Sequence, residues 1–269
     1  QIEGNVANNL GGGIRLGAGT IMASRICSNI AGDGGGVRLD SASCVLSNSL
    51  IGNNFSGNGC GGVIQIAGTI SRCAIVSNVS ARSGGQVPGG GINMSGGICE
   101  NSWIAFNAVT NGSDGGGVAG SGGLLRNCLI IGNEARYGGA ARCSGAFENC
   151  TIVGNRATQQ GGGIWFQSGR PSLTNCVLYY NSAPNGPNYY VYSGTSNFAW
   201  SCTFPVDPTN QNFASDPLFR NSGNGAGTNL IPGHYQLTRS SPCVDAGIVL
   251  PWMTEGVDLL GNARLFGTA

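Results

Sequence analysis

Lysine is absent from the 269 residues and histidine occurs once, at His234, so all thirteen cations are arginine and twelve carboxylates nearly cancel them. With only 9% of residues charged, no basic stripe exists to neutralise phosphates, and a nucleic-acid partner is not expected. No run of eighteen apolar residues occurs, which leaves no candidate transmembrane segment. One histidine and no Cys-x-x-Cys pair argue against a zinc or copper site, and a Ser-His-Asp triad cannot be assembled around a lone loop histidine. Long helices are also disfavoured, because almost every window holds glycine or a β-branched run.

What the chain does have is a repeat. Ile/Leu-x-x-Asn, a short variable stretch, Gly-Gly-Gly and an apolar residue return about every 25 residues. The recurring asparagines are Asn5, Asn29, Asn54, Asn78, Asn107, Asn133, Asn155 and Asn181. Three residues before them stand Ile2, Ile26, Ile51, Ile75, Ile104, Ile130, Ile152 and Leu178. Five before stand Ser24, Ser49, Cys73, Ser102, Cys128, Cys150 and Cys176, and eight before stand Ile21, Leu46, Ile70, Cys99, Leu125, Phe147 and Leu173. These offsets fit short strands separated by bends, in a unit too small to bury its own apolar face. It must stack on copies of itself.

Glycine runs begin at Gly11, Gly34, Gly89, Gly115 and Gly161, with degraded copies at Cys60-Gly61-Gly62 and Gly138-Gly139-Ala140. Glycine supplies positive φ and allows close backbone approach, so the runs mark one corner of each coil. Asparagine tolerates the left-handed conformation and can bond an identical amide one rung away, which predicts an asparagine ladder at another corner. The fold expected is all-β: a parallel β-helix of about eight coils over residues 1–181, followed by a capping segment over 182–269 packed on the solenoid end. Leucine-rich, calcium-binding nonapeptide and collagen repeats each need a consensus that is missing.

Candidate sites are sparse. Cys73, Cys128, Cys150 and Cys176 share a column with serines, as thiols used as compact hydrophobes would, with inter-rung disulfides as the alternative. Cys202 and Cys243 lie outside the repeats and are candidates to pair. Asp33 and Asp114 precede glycine runs three coils apart, roughly 14 Å at the usual strand spacing. That exceeds the about 5–9.5 Å between glycosidase carboxylates, so turn formation is the expected use of both. Asp245, Asp258 and Arg264 form a polar group suited to charge pairing or calcium stiffening. Arg15, Arg38, Ile64, Asn93, Ala119, Arg142 and Trp165 should face outward after the glycine runs. Longer loops after Asn78 and Asn107 place Arg82 and Asp114 on a local protrusion. With Trp165, Tyr189 and Tyr190 they make a candidate surface for a glycan or partner.

After Asn181 the repeat stops and most prolines follow. In order come Asn175-Cys176-Val177-Leu178-Tyr179-Tyr180-Asn181-Ser182-Ala183-Pro184-Asn185-Gly186, Ser201-Cys202-Thr203, Asp216-Pro217-Leu218-Phe219, Tyr235-Gln236-Leu237, Ser241-Pro242-Cys243-Val244-Asp245-Ala246-Gly247 and Asp258-Leu259-Leu260-Gly261-Asn262-Ala263-Arg264. Together they resemble the end of secreted bacterial right-handed parallel β-helix repeat proteins, including the choice-of-anchor Q group. The resemblance implies a right-handed helix with a C-terminal cap, exported and held at the cell surface. Similar β-helices include pectate lyases and polygalacturonases, but their clustered aspartates and histidine are missing from these coils.

The function expected is therefore an extracellular structural or adhesive solenoid, as surface scaffold or filament subunit, without enzymatic activity, metal or cofactor; calcium has no motif here. The alternative is a polysaccharide-binding or polysaccharide-degrading β-helix. Gln1-Ile2-Glu3-Gly4-Asn5 begins within a coil, as it would after removal of an N-terminal segment. An incomplete coil could also be completed by the tail of a neighbouring molecule, so end-to-end self-association and cell-surface glycans are the expected partners.

Overall fold

The computed structural model describes residues 1–83, 88–167, 171–207 and 210–265. Each coil has four short strands, and each strand pairs in parallel with its counterpart one coil on, giving four sheets along a common axis. Sheet A has nine strands, from Ile2–Glu3 to Cys202–Thr203, and sheet B seven, from Val6–Leu10 to Arg156–Gln160. Sheet C has eight, from Ile14–Leu16 to Tyr189–Val191, and sheet D eight, from Gly19–Met22 to Asn197–Ala199. The chain is thus a β-solenoid of about eight turns. The described helix consists of two 3-10 turns, Gly227–Asn229 and Pro251–Thr254.

The columns read from the sequence are the registers of the sheets. Ile2 pairs with Ile26, Ile51 with Ile75, Ile104 with Ile130, and Ile152 with Leu178. Leu46 pairs with Ile70, and Leu125 with Phe147. From Ile26 to Leu178 the sheet A column is wholly buried, and it meets sheet D's Leu46, Ile70, Cys99, Leu125, Phe147 and Leu173 across the axis. Burying such a side chain is worth about 1.5–3 kcal/mol, and every coil repeats the gain.

The corners depart from expectation in a consistent way. The ladder asparagines do not themselves take the left-handed conformation; the residue before each one does, through Gly4, Ser28, Asn53, Ser77, Phe106, Gly132, Gly154 and Tyr180. One left-handed residue turns the chain, and the next side chain is thereby directed inward. A second left-handed column, Ala23, Asn48, Arg72, Asn101, Asn127, Asn149, Asn175 and Trp200, stands before the serine and cysteine column. In the glycine runs only the first residue has positive φ, as at Gly34 and Gly115. The second is glycine for lack of room: a Cβ on Gly116 would lie 2.4 Å from the carbonyl oxygen of Gly139 one coil on.

The sequence repeat ends at Asn181, yet three further strands continue sheets C, D and A, and coil-to-coil pairing reaches Thr203. Beyond that point the chain first crosses the open end: Phe213 bridges to Cys202, and Asn210 and Asn212 bond the carbonyl of Phe198. It then turns back along the side of the rod. The antiparallel pair Phe219–Asn221 and His234–Leu237 lies against sheet A, where Leu230 packs on Ala105, Ile131 and Val153. Most of the segment expected on the solenoid end therefore flanks the later coils, because sheet A there presents an apolar outer column that needs cover.

Candidate functional site

The asparagine ladder is the most regular polar array. Asn78 Oδ1 accepts from Asn54 N at 3.0 Å and Asn54 Nδ2 at 2.9 Å, while Asn78 Nδ2 donates to Asn107 Oδ1 and Ile51 O, both at 3.0 Å. The pattern recurs through Asn29, Asn107, Asn133, Asn155 and Asn181, all buried. It ends on Asn188, seven residues after Asn181, whose Nδ2 donates to Phe204 O at 2.7 Å. Every carboxamide is committed internally, so the ladder is a structural element with no capacity left for a ligand. Asn188 escaped the sequence reading because it breaks the spacing.

The outward column of sheet C is less open than its sequence suggests. Arg15 and Arg38 both bind Asp40, at 2.7 and 2.6 Å. The Arg15 guanidinium holds the Asp40 carboxyl below its usual range, helped by Arg38. Asp114 and Trp165 are drawn together by Arg142, which stands between them: Nη1 is 2.8 Å from Asp114 Oδ2, and the guanidinium carbon lies 5.0 Å from the indole centroid. Asp114 and Arg142 are each only 7% exposed. Burial pushes the Asp114 carboxyl up against the pull of Arg142, and pushes Arg142 down. Trp165 is crowded by Tyr137 and Tyr192, with ring centroids at 5.3 and 5.6 Å, and its Nε1 donates to Gln160. An indole packed in this way is a poor platform for a sugar ring.

The other candidates disperse. Arg82 donates to the carbonyl of Asn58 one coil earlier and does not join the Asp114 cluster. Tyr190 follows Trp165 in the outer column, but Tyr189 pairs with Ile164 and its ring meets Phe198 edge-on at 5.0 Å. Tyr189 thus packs, partly buried, against the end of the core. Asp33 accepts from Cys60 N at 3.2 Å, an ordinary turn contact. Cys73, Cys128, Cys150 and Cys176 are buried free thiols whose sulfurs donate to nearby carbonyls. Cys202 and Cys243 are also free thiols, and both line one recess.

A feature the sequence reading missed lies at the second left-handed corner. Asn101, Asn127, Asn149 and Asn175 form an outer ladder, with Asn127 Nδ2 2.6 Å from Asn101 Oδ1 and Asn175 Nδ2 3.4 Å from Asn149 Oδ1. The returning tail docks on it. Asn127 donates to Val257 O, and Asn175 exchanges two bonds with the backbone of Ile248. The signal available was asparagine six residues before the main ladder in four successive coils.

Between those two docking points the tail and the outer ladder line an open recess of about 580 Å³, whose walls include Asn149, Thr151, Asp245, Asp258 and Arg264. Arg264 Nε has no hydrogen-bond partner among the described residues, and its guanidinium lies 5.6 Å from the Trp252 centroid. Burial pushes the Arg264 pKa down despite Asp258. Asp258 is held low by bonds from Asn262 and Leu260, which outweigh its burial. The group expected to stiffen a cap therefore walls this recess.

No family model, curated protein or solved structure matches the chain. The likeness to choice-of-anchor Q proteins therefore stands on the tail motifs alone, and the fold stands on the geometry.

Proposed function

We propose that this chain is an extracellular β-solenoid with a structural or adhesive role, a stiff scaffold at the cell surface that works without catalysis, metal or cofactor. The observation that supports the reading is the unbroken ladder from Asn5 to Asn188, buried from Asn29 onward. Side-chain and backbone bonds run in parallel along the axis, so bending the rod must stretch several at once. The tail motifs agree with a secreted surface protein. Its partners, on this reading, are copies of itself meeting end to end or cell-surface glycans.

Electron microscopy of the purified full-length protein over a range of concentrations is the test, with antibody labelling of intact cells for location. Straight rods, or filaments with an axial repeat near the solenoid length, are expected on labelled cells. Bent or collapsed particles and an unlabelled surface would overturn the reading.

The recess at Asn149 favours a second reading, binding of a polysaccharide end or side group. Calorimetric titration with a panel of neutral and acidic oligosaccharides, repeated on Arg264→Gln, decides between binding and support.

A further inference from the structure

We propose that Cys202 and Cys243 form a disulfide under oxidising conditions, and that this bond latches the returning tail onto the last rung of the solenoid. The inference is independent of the scaffold reading and rests on how two separate segments converge. Cys202 sits at the end of sheet A, and its sulfur donates to Ser215 O at 3.0 Å. Two residues on, Pro217 O accepts from Ser241 Oγ at 2.6 Å, and the same hydroxyl accepts from Cys243 N at 3.1 Å. Residues 215–217 thus hold both cysteines from the two sides, and both line the same recess.

The pair differs from the other thiols in geometry and, through Cys243, in access. Cys128, Cys150 and Cys176 also stand one above another on successive coils, with Thr151 N donating to Cys128 O and Val177 N to Cys150 O. They are in-register residues of parallel coils, however, so their Cβ atoms are spaced like the strands, about 4.8 Å. Disulfides need about 3.5–4.5 Å between Cβ atoms. Those three are also 1% exposed, beyond the reach of an oxidant. Cys243 is the one cysteine of the eleven that is not buried, and it approaches Cys202 from a turn outside the strand register. Cys202 and Ser241 hold the Cys243 thiol below its usual pKa, which suits it to react first.

The co-reactant is a low-molecular-weight disulfide. The Cys243 thiolate attacks one of its sulfurs, forming a mixed disulfide and expelling one thiolate. Cys202, after losing its proton, attacks the Cys243 sulfur and expels the second. Two electrons pass to the reagent, which leaves as two thiols, and the protein loses two hydrogens.

The full chain, with its termini intact, is incubated with oxidised or reduced glutathione, quenched with an alkylating agent and examined by intact mass and peptide mapping. The oxidised protein should be about 2 Da lighter before alkylation, with one cross-linked peptide pair containing Cys202 and Cys243. Cys243→Ser should show no such loss. Hydrogen exchange over residues 216–237 should slow on oxidation in the parent protein and be unaffected by oxidant in Cys243→Ser. Full alkylation of both cysteines after oxidant, or a bridge within the Cys128–Cys176 column, would overturn the assignment. A bridge that forms with no change in tail exchange would overturn the latch.

Discussion

At the scale of single residues, the decisive chemistry is the satisfaction of buried amides. Asn107 shows what one position carries: its Oδ1 accepts from Asn78 N and Nδ2, and its Nδ2 donates to Ile75 O and Asn133 Oδ1. Asn107→Leu keeps the branched heavy-atom outline and leaves Asn78 N, Asn78 Nδ2 and Ile75 O each a partner short in a site with no water access. Each orphaned group costs about 1–3 kcal/mol, so the variant should lose about 3 kcal/mol or more, read as a lower urea midpoint. An unchanged midpoint would mean that the ladder contributes nothing beyond the sheets. The main ladder was legible because a buried carboxamide stacked on identical copies leaves no alternative residue. The outer ladder was not, since Ala23 and Arg72 share its left-handed backbone and an exposed corner tolerates them.

At the scale of the coil, two devices hold the corners, close backbone approach and charge pairing, and they respond to different perturbations. Gly116→Ala would drive a Cβ to within 2.4 Å of one backbone oxygen and 2.6 Å of Glu134 N, so neighbouring coils must separate. A loss of about 3 kcal/mol is expected. Gly57→Ala, where a Cβ would meet nothing within 4 Å, should change stability by about 0.5 kcal/mol or less, and thermal melting of the two checks the contrast.

The Asp114–Arg142 pair gives a pH dependence. Burial raises the Asp114 pKa in the folded protein, so folding is favoured by its protonation. Relative to Asp114→Asn, the parent protein should gain stability as pH falls through the folded pKa, and the gain should level off below the unfolded value of about 3.9. Urea unfolding of both proteins from neutral to acid pH measures the difference; a parent that loses relative stability on acidification would show that Arg142 outweighs desolvation. The sequence placed Asp114 beside a glycine run and Arg142 in an outward column. It held no sign that both would be buried, since burial of an outer face depends on contacts that do not repeat.

At the scale of the whole molecule, the repeat and the tail obey different rules. Coils interact with their neighbours alone, so the sequence of one predicts the surroundings of the next, and that is why register, core and ladder could be read directly. The tail occurs once. Its apolar residues could have covered the end or the side, and nothing periodic distinguishes the two. What decides is the outer column of sheet A, where Ala105, Ile131 and Val153 offer a continuous apolar strip that Leu230 covers.

That contact defines a separable unit. Gly227 N bonds Gly154 O at 2.9 Å and Thr228 reaches Glu134, so Leu230 is held at the centre of a small docking patch while the solenoid closes without it. Leu230→Ala should weaken docking by about 2–4 kcal/mol. The penalty should fall on the tail alone: amide exchange should accelerate over residues 216–237, and protection of the buried strands around Ile75, Ile104 and Ile130 should persist. Faster exchange in both regions together would show that solenoid and tail unfold as one unit, and that the returning segment completes the fold itself.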